Sequence, residues 1–224
     1  MSTAIIPSRR SEIEYPDSDG QPMSDNTRQF EWIVTIKEGL EAQFRSEPLV
    51  FVGGDLLWYP QEGKPKVRTA PDVMVVFGRP KGCRGSYKQW EEGGIAPQVV
   101  FEVLSPGNRP GNLIRMFKFY DKHGVDEFYL YDPESGALEG WLRGAPSLDD
   151  IADMNGHVSP KLALRFEAGE GPDNLKIFGP DGRRFLTYVE LFEEREAERQ
   201  RADAEHQRAE RLAARLREMG EVPD

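Results

Sequence analysis

The segment PQVVFEVLSPG, Pro97 to Gly107, limits the possible folds more than any other stretch of the chain. Val99, Val100, Phe101, Val103 and Leu104 form a short continuous apolar run bounded by Pro and Gly. Such a run reads as a strand covered on both faces, which places it inside a layered α/β arrangement. Glu102 stands in its middle. An unpaired ionised carboxylate in that position costs several kcal/mol, whereas one buried Val contributes only roughly 1.5–3 kcal/mol. The acid therefore needs a compensating partner, or a strand end that water or a cation can reach.

The remaining pattern fits the same kind of fold. Asn26-Thr-Arg-Gln29 resembles a capping box and opens a helix to about Arg45, with Phe30, Ile33, Val34, Leu40 and Phe44 as its apolar stripe. Leu49–Val52 and Leu56–Tyr59 read as strands, the second followed by the turn-rich PQEGKP. Val73–Phe77 is a further strand, introduced by Pro71-Asp72, and a long loop separates it from the Glu102 strand. Pro110–His123 is a helix with Leu113, Met116, Phe117 and Tyr120 on one side; Gly124 closes it and Phe128–Tyr131 follows as a strand. Beyond lie strands at Leu162–Phe166 and Leu175–Phe178, and a turn at Pro180-Asp-Gly182 before Arg184–Tyr188. The order predicts an α/β fold with a mixed central sheet flanked by helices.

At 224 residues the chain has room for one sizeable domain and a tail. The expected division is an extended lead-in over 1–23, the domain over 24–188 and a charged helical tail over 189–224. No apolar run approaches the roughly 18 residues of a membrane span, and MSTAIIPSRRSEIEYP lacks the apolar core of a signal peptide. Cys83 is the single cysteine, which excludes an intramolecular disulfide and suits a reducing cytoplasm. A net charge of −10 argues against binding nucleic acid over the whole surface, though not against a local basic site. In the tail, a heptad seam runs through Tyr188, Leu191, Ala202, Ala209, Leu212, Leu216 and Met219, interrupted by Arg195, Glu198 and Glu205. Two readings stand for it, a dimerising coiled coil and a solvated charged helix.

Several chemistries are excluded. His123, His157 and His206 are scattered without metal-ligand spacing, and no phosphate-binding loop or nucleophile elbow occurs. Ser105, beside Pro106-Gly107, reads as a turn residue, and Cys83 has no nearby histidine in sequence. What remains is a pair of acids, Asp72 at the mouth of one apolar strand and Glu102 within the next. If the strands are neighbours, both carboxylates converge on one edge and suit a hard divalent cation such as Mg²⁺. The other reading makes Asp72 a strand-start turn residue and Glu102 an ion-paired core acid.

The stretches APDVMVVFGRPKG, WEEG, PQVVFEVLSPGNR and YDKHGVDEFYLYDPESG resemble the Uma-two family of endonucleases, in the restriction-endonuclease-like PD-(D/E)XK superfamily. The resemblance runs from about Tyr15 to Tyr188 and implies an Mg²⁺- or Mn²⁺-dependent endonuclease acting on nucleic acid, DNA being the expected form. It assigns Pro71-Asp72 to the PD element and Glu102 to the second acid, both as catalytic metal ligands.

One position departs from the superfamily pattern: the lysine expected two residues after the second acid is Leu104. Family relatives carry it on the following helix, four residues before a tyrosine, and counting back from Tyr120 gives Met116. Lys118 lies on the outer side of that helix, whereas Lys37 lies about 20° and Glu41 about 60° from the centre of the first helix's expected stripe. These three are the candidate accessory residues, with surface snorkelling as the other reading of Lys37 and Glu41. Between the acids, Arg79, Lys81, Arg84 and Lys88 alternate with Tyr87 and Trp90, a composition suited to phosphates and exposed bases. The same loop also reads as a solvated segment anchored by Trp90. Two functions follow: a metal-dependent endonuclease weakened by Met116, or an inactive nucleic-acid-binding or protein-interaction module that dimerises through its tail.

Overall fold

The computed structural model describes residues 13–18, 20, 24–169 and 171–218. These fall into two compact units, one ending at Phe185 and one beginning at Leu186. Most of the lead-in, and Met219 of the tail seam, lie outside the described residues.

The first unit opens with α1 (Thr27–Gln43), then β1 (Val50–Gly54), β2 (Trp58–Tyr59), β3 (Val73–Phe77), β4 (Tyr87–Lys88) and β5 (Val99–Val103). It continues through α2 (Pro110–His123), β6 (Glu127–Tyr131), β7 (Leu138–Arg143), β8 (Leu148–Asp150), β9 (Arg165–Glu167) and β10 (Lys176–Phe178). The central sheet has the order β1-β3-β5-β6-β7-β8. Within this sheet β5 and β6 are the one parallel pair among the described residues, and α2 is the crossover that such a pair requires. α2 begins at Pro110, whose missing N–H costs nothing there, and ends at Gly124, which takes the left-handed φ of 86°.

Strand alternation divides the core. Val73, Val75, Phe101 and Tyr129 join Ile33, Ile36 and Leu40 of α1 on one face, where Phe166 of β9 and Ile177 of β10 also pack. Met74, Val76, Val100 and Phe128 face α2 on the other, with Tyr120 and Trp58.

The structure corrects the sequence reading at several elements. α1 turns Gln29, Ile33, Ile36 and Leu40 inward, while Phe30 and Val34 are 44% and 37% exposed. Leu56 and Leu57 are not in a strand; only Trp58–Tyr59 pair, parallel to β4, inside what the sequence presents as loop. Leu162 and Leu164 are buried, but pairing starts at Arg165. Arg184 makes an isolated bridge to Phe178, and the tail helix begins at Tyr188, the first residue of the expected seam. β7 and β8 give no strong periodic signal in LEGWLR and LDD.

The part of the lead-in that is described is docked: the Tyr15 ring packs on Tyr59 (5.3 Å) and Trp90 (4.9 Å), and the Tyr59 hydroxyl donates to Pro16 O at 2.6 Å. The second unit is α3 (Tyr188–Glu218), none of whose residues is buried. Among the described residues, no helix is long and apolar enough to cross a membrane.

Candidate functional site

β3 and β5 pair antiparallel, with Val73 opposite Phe101 and Met74 opposite Val100. One step further along this register sets Asp72 opposite Glu102, and both side chains fall on the α2 face. Cross-strand neighbours of this kind have Cβ atoms about 4.5–5.5 Å apart. The carboxylates are buried and hydrogen-bonded to each other. Asp72 Oδ2 accepts from the Val103 N–H at 2.7 Å. Tyr120, on the inward side of α2, donates its hydroxyl proton to Glu102 Oε1, and the Thr69 side chain lies near the tyrosine oxygen.

Burial raises the pKa of Asp72 to about 7, against the pull of the Val103 N–H, while the charges of Asp55 and Asp25 raise it further. Burial, and then the charge of Asp72, hold Glu102 well above the usual carboxylate range. The partners of Glu102 are thus an acid and a tyrosine, not a base. An ion-paired core acid is therefore not what the structure contains.

Around the pair lie residues that sequence reasoning missed. Gln29 of α1 donates through Nε2 to Val103 O at 2.8 Å, tying the helix to the end of β5. Its Oε1 accepts from Asp25 N, and Asp25 in turn receives the Ser105 hydroxyl at 2.5 Å. The signal for Gln29 was present, a polar residue at i−4 from Ile33, but only packing shows that it points inward. Tyr120 was assigned to the apolar stripe; nothing local marks its hydroxyl as a carboxylate partner. Ser105 sits in a turn, its N–H bonded to Asn108 Oδ1 at 2.8 Å.

The accessory candidates do not join the acids. Lys37 and Glu41 belong to α1, on the opposite face of the sheet. The Lys37 stem runs along Gly54, where an added Cβ would stand 3.4 Å from Lys37 Cγ, and its Nζ pairs with Glu38 at 2.8 Å. Glu41 pairs with Lys81 at 3.0 Å. The reason is the rotation of α1: with Ile33, Ile36 and Leu40 inward, Lys37 lies about 70° from the buried centre. Lys118 is exposed on the outer side of α2. Met116 is half-buried against the α2-side core, one turn before Tyr120 on the same side of the helix.

The cations of the loop between the acids are engaged with carboxylates. Arg79 and Arg84 both bond Glu92 (2.8 and 2.6 Å), and Arg84 also lies 4.0 Å over the Phe51 ring. Lys88 reaches Glu91 at 3.6 Å. Hydrogen bonds from Arg84 and then Arg79 hold the Glu92 carboxyl below its ordinary pKa, despite partial burial. Trp90 packs on Tyr15, as an anchoring residue would.

The family model described as "Uma2: Putative restriction endonuclease" matches residues 7–165. The chain belongs to the Uma2 family. No curated protein matches it. A crystal structure described as "a putative nuclease belonging to DUF820", from Anabaena variabilis ATCC 29413, is similar over 60% of this chain and 72% of its own, at 14% identity and a TM-score of 0.45. In this Uma2 chain the α/β layering described above places the acid pair at one end of the neighbouring antiparallel strands β3 and β5.

Proposed function

We propose that this Uma2 chain is a divalent-metal-dependent endonuclease, with Asp72 and Glu102 as the metal ligands and DNA as the expected substrate. The observation that carries the reading is the facing pair itself: two buried carboxylates sharing one side of the sheet, with further acids as their charged neighbours. Two like charges held this close are costly unless a proton or a cation lies between them. The donor set fits Mg²⁺ or Mn²⁺, which accept a few carboxylate oxygens and keep several waters. Among the described residues no group of three or more His, Cys, Asp and Glu side chains could hold a metal, so substrate phosphate and water would complete the shell.

A bound divalent ion would supply an activated water and stabilise charge on the phosphate. The chain's own contribution is orientation. The Val103 N–H fixes one oxygen of Asp72, the Tyr120 hydroxyl fixes one of Glu102, and Gln29 holds the end of β5, which carries Glu102. Met116 supplies no charge where a lysine would stabilise the transition state, and losing one such stabiliser costs on the order of 10²–10³ in rate.

Leu104 and Met116 at the two lysine positions favour a second reading, a non-cleaving nucleic-acid-binding or interaction module on the same fold. Either form is proposed as a cytoplasmic protein of three segments (1–23, 24–188, 189–224) that dimerises through α3. Cleavage assays decide between the two. An endonuclease requires Mg²⁺ or Mn²⁺, loses activity in Asp72→Asn and Glu102→Gln, and gains it in Met116→Lys. Wild type and Met116→Lys that bind metal yet leave duplex, branched, single-stranded and RNA substrates intact would leave the binding module.

A further inference from the structure

Resting on the nucleic-acid reading above, we propose that the loop between β2 and β3, carrying Lys64, Lys66 and Arg68, is the surface that grips the phosphate backbone beside the acid pair. The chain carries a net charge of −10, and the site itself adds Asp25 and Asp55 to the two buried acids. A polyanion approaching such a site needs a local cationic surface to be held there. The loop PQEGKPKVRTAP supplies three cations against the single acid Glu62. Lys64 and Lys66 are exposed, and the polar contact of Arg68 is to the Tyr59 hydroxyl at 3.3 Å, with its guanidinium 5.9 Å over the same ring.

The contrast with the next loop decides the choice. Arg79, Lys81, Arg84 and Lys88 are all bound to Glu92, Glu41 or Glu91, so a phosphate would have to displace a carboxylate first. Among the described residues, no ion pair is formed by Lys64, Lys66 or Arg68. The loop is also held in place: Gly63 N donates to the Tyr15 hydroxyl at 2.6 Å and Val67 N to Lys64 O at 2.9 Å.

Chain connectivity puts this surface next to the chemistry. Thr69 follows Arg68, bonds Trp58 in both directions (2.7 and 3.3 Å), and lies near the hydroxyl of Tyr120, the residue that holds Glu102. Asp72 is four residues beyond Arg68, so their Cα atoms are at most about 14 Å apart.

The test is fluorescence-anisotropy titration of labelled single-stranded and duplex DNA and of RNA, across a salt series, with the full chain carrying Asp72→Asn. Lys64→Glu with Lys66→Glu should weaken binding at least ten-fold and make the slope of log K against log salt shallower by about two. Lys81→Ala with Lys88→Ala should change affinity less than two-fold, and matched circular dichroism checks that each variant is folded. The proposal is overturned if the charge reversal leaves affinity and slope unchanged, if the control pair has the larger effect, or if the parent binds no nucleic acid at low salt. A wild-type chain that cleaves while the reversal binds normally loses this proposal and keeps the nuclease reading. Binding through the loop without cleavage keeps the proposal and leaves the binding module.

Discussion

Buried opposite each other on β3 and β5, Asp72 and Glu102 compete for one negative charge. Burial lifts Asp72 from an ordinary value of 3.8 to about 7, and Glu102 is lifted well above its own. A carboxyl raised on folding binds its proton more tightly in the folded state. Its contribution to stability is therefore full below about pH 4 and is lost as pH rises through about 7. Urea unfolding in EDTA should show stability falling by a few kcal/mol over that window. Asp72→Asn, which removes one of the two raised carboxyls, should make the curve shallower, and millimolar Mg²⁺ at pH 8 should restore the wild type. Tyr120→Phe removes the donor to Glu102 and should cost about 1–3 kcal/mol in the same measurement, since the acid loses a buried hydrogen bond.

At the scale of elements, α3 has the least support from its surroundings and the most information in its charges. Tyr188, Val189, Leu191 and Phe192 are exposed at its start, and Leu212 near its end. Its first third holds Glu190, Glu193, Glu194, Glu196 and Glu198 against Arg195, while its last turns hold Arg211, Arg215 and Arg217 against Glu218. A parallel in-register pair would set Arg195, Glu198 and Glu205 each against its own copy. An antiparallel pair instead brings the acidic start against the basic end. Truncation after Tyr188 should lower the particle mass seen by light scattering if α3 is the dimer contact. In a Cys83→Ser background, Leu191→Cys should cross-link oxidatively to Leu212→Cys or Leu216→Cys chains but not to itself.

Across the first unit as a whole, closure depends on a contact between its two ends. A Cβ added at Gly39 of α1 would lie 2.3 Å from the Phe185 ring, closer than any real contact. Helix propensity alone would make Gly39→Ala favourable by roughly 0.8–1 kcal/mol. The clash decides the sign: the variant should lose about 1–3 kcal/mol, read as a lower midpoint in thermal unfolding, as overpacked cores do.

The elements read most accurately from the sequence are those whose causes are local. Val73–Phe77 is a continuous apolar run behind Pro71-Asp72, and Pro110–His123 carries its own start at Pro110, its stripe and its stop at Gly124. The identities of Asp72 and Glu102 as acids in apolar surroundings were equally legible. Their meeting was not: it depends on the β3–β5 register, which links residues thirty apart through backbone pairing. The same holds for the rotation of α1, set by which side chains fill the space over β3 and β5 and not by the helix's own stripe. That rotation sends Lys37 and Glu41 to the wrong face and brings Gln29 to Val103. Whether a lysine or arginine is held by a carboxylate is also a three-dimensional fact, since Glu41 and Lys81 meet across forty residues. The sequence by itself determined which segments are apolar, where helices start and stop, and which residues carry charge. Only the tertiary structure decided which charges face each other, because burial and pairing arise from contacts between segments that are distant along the chain.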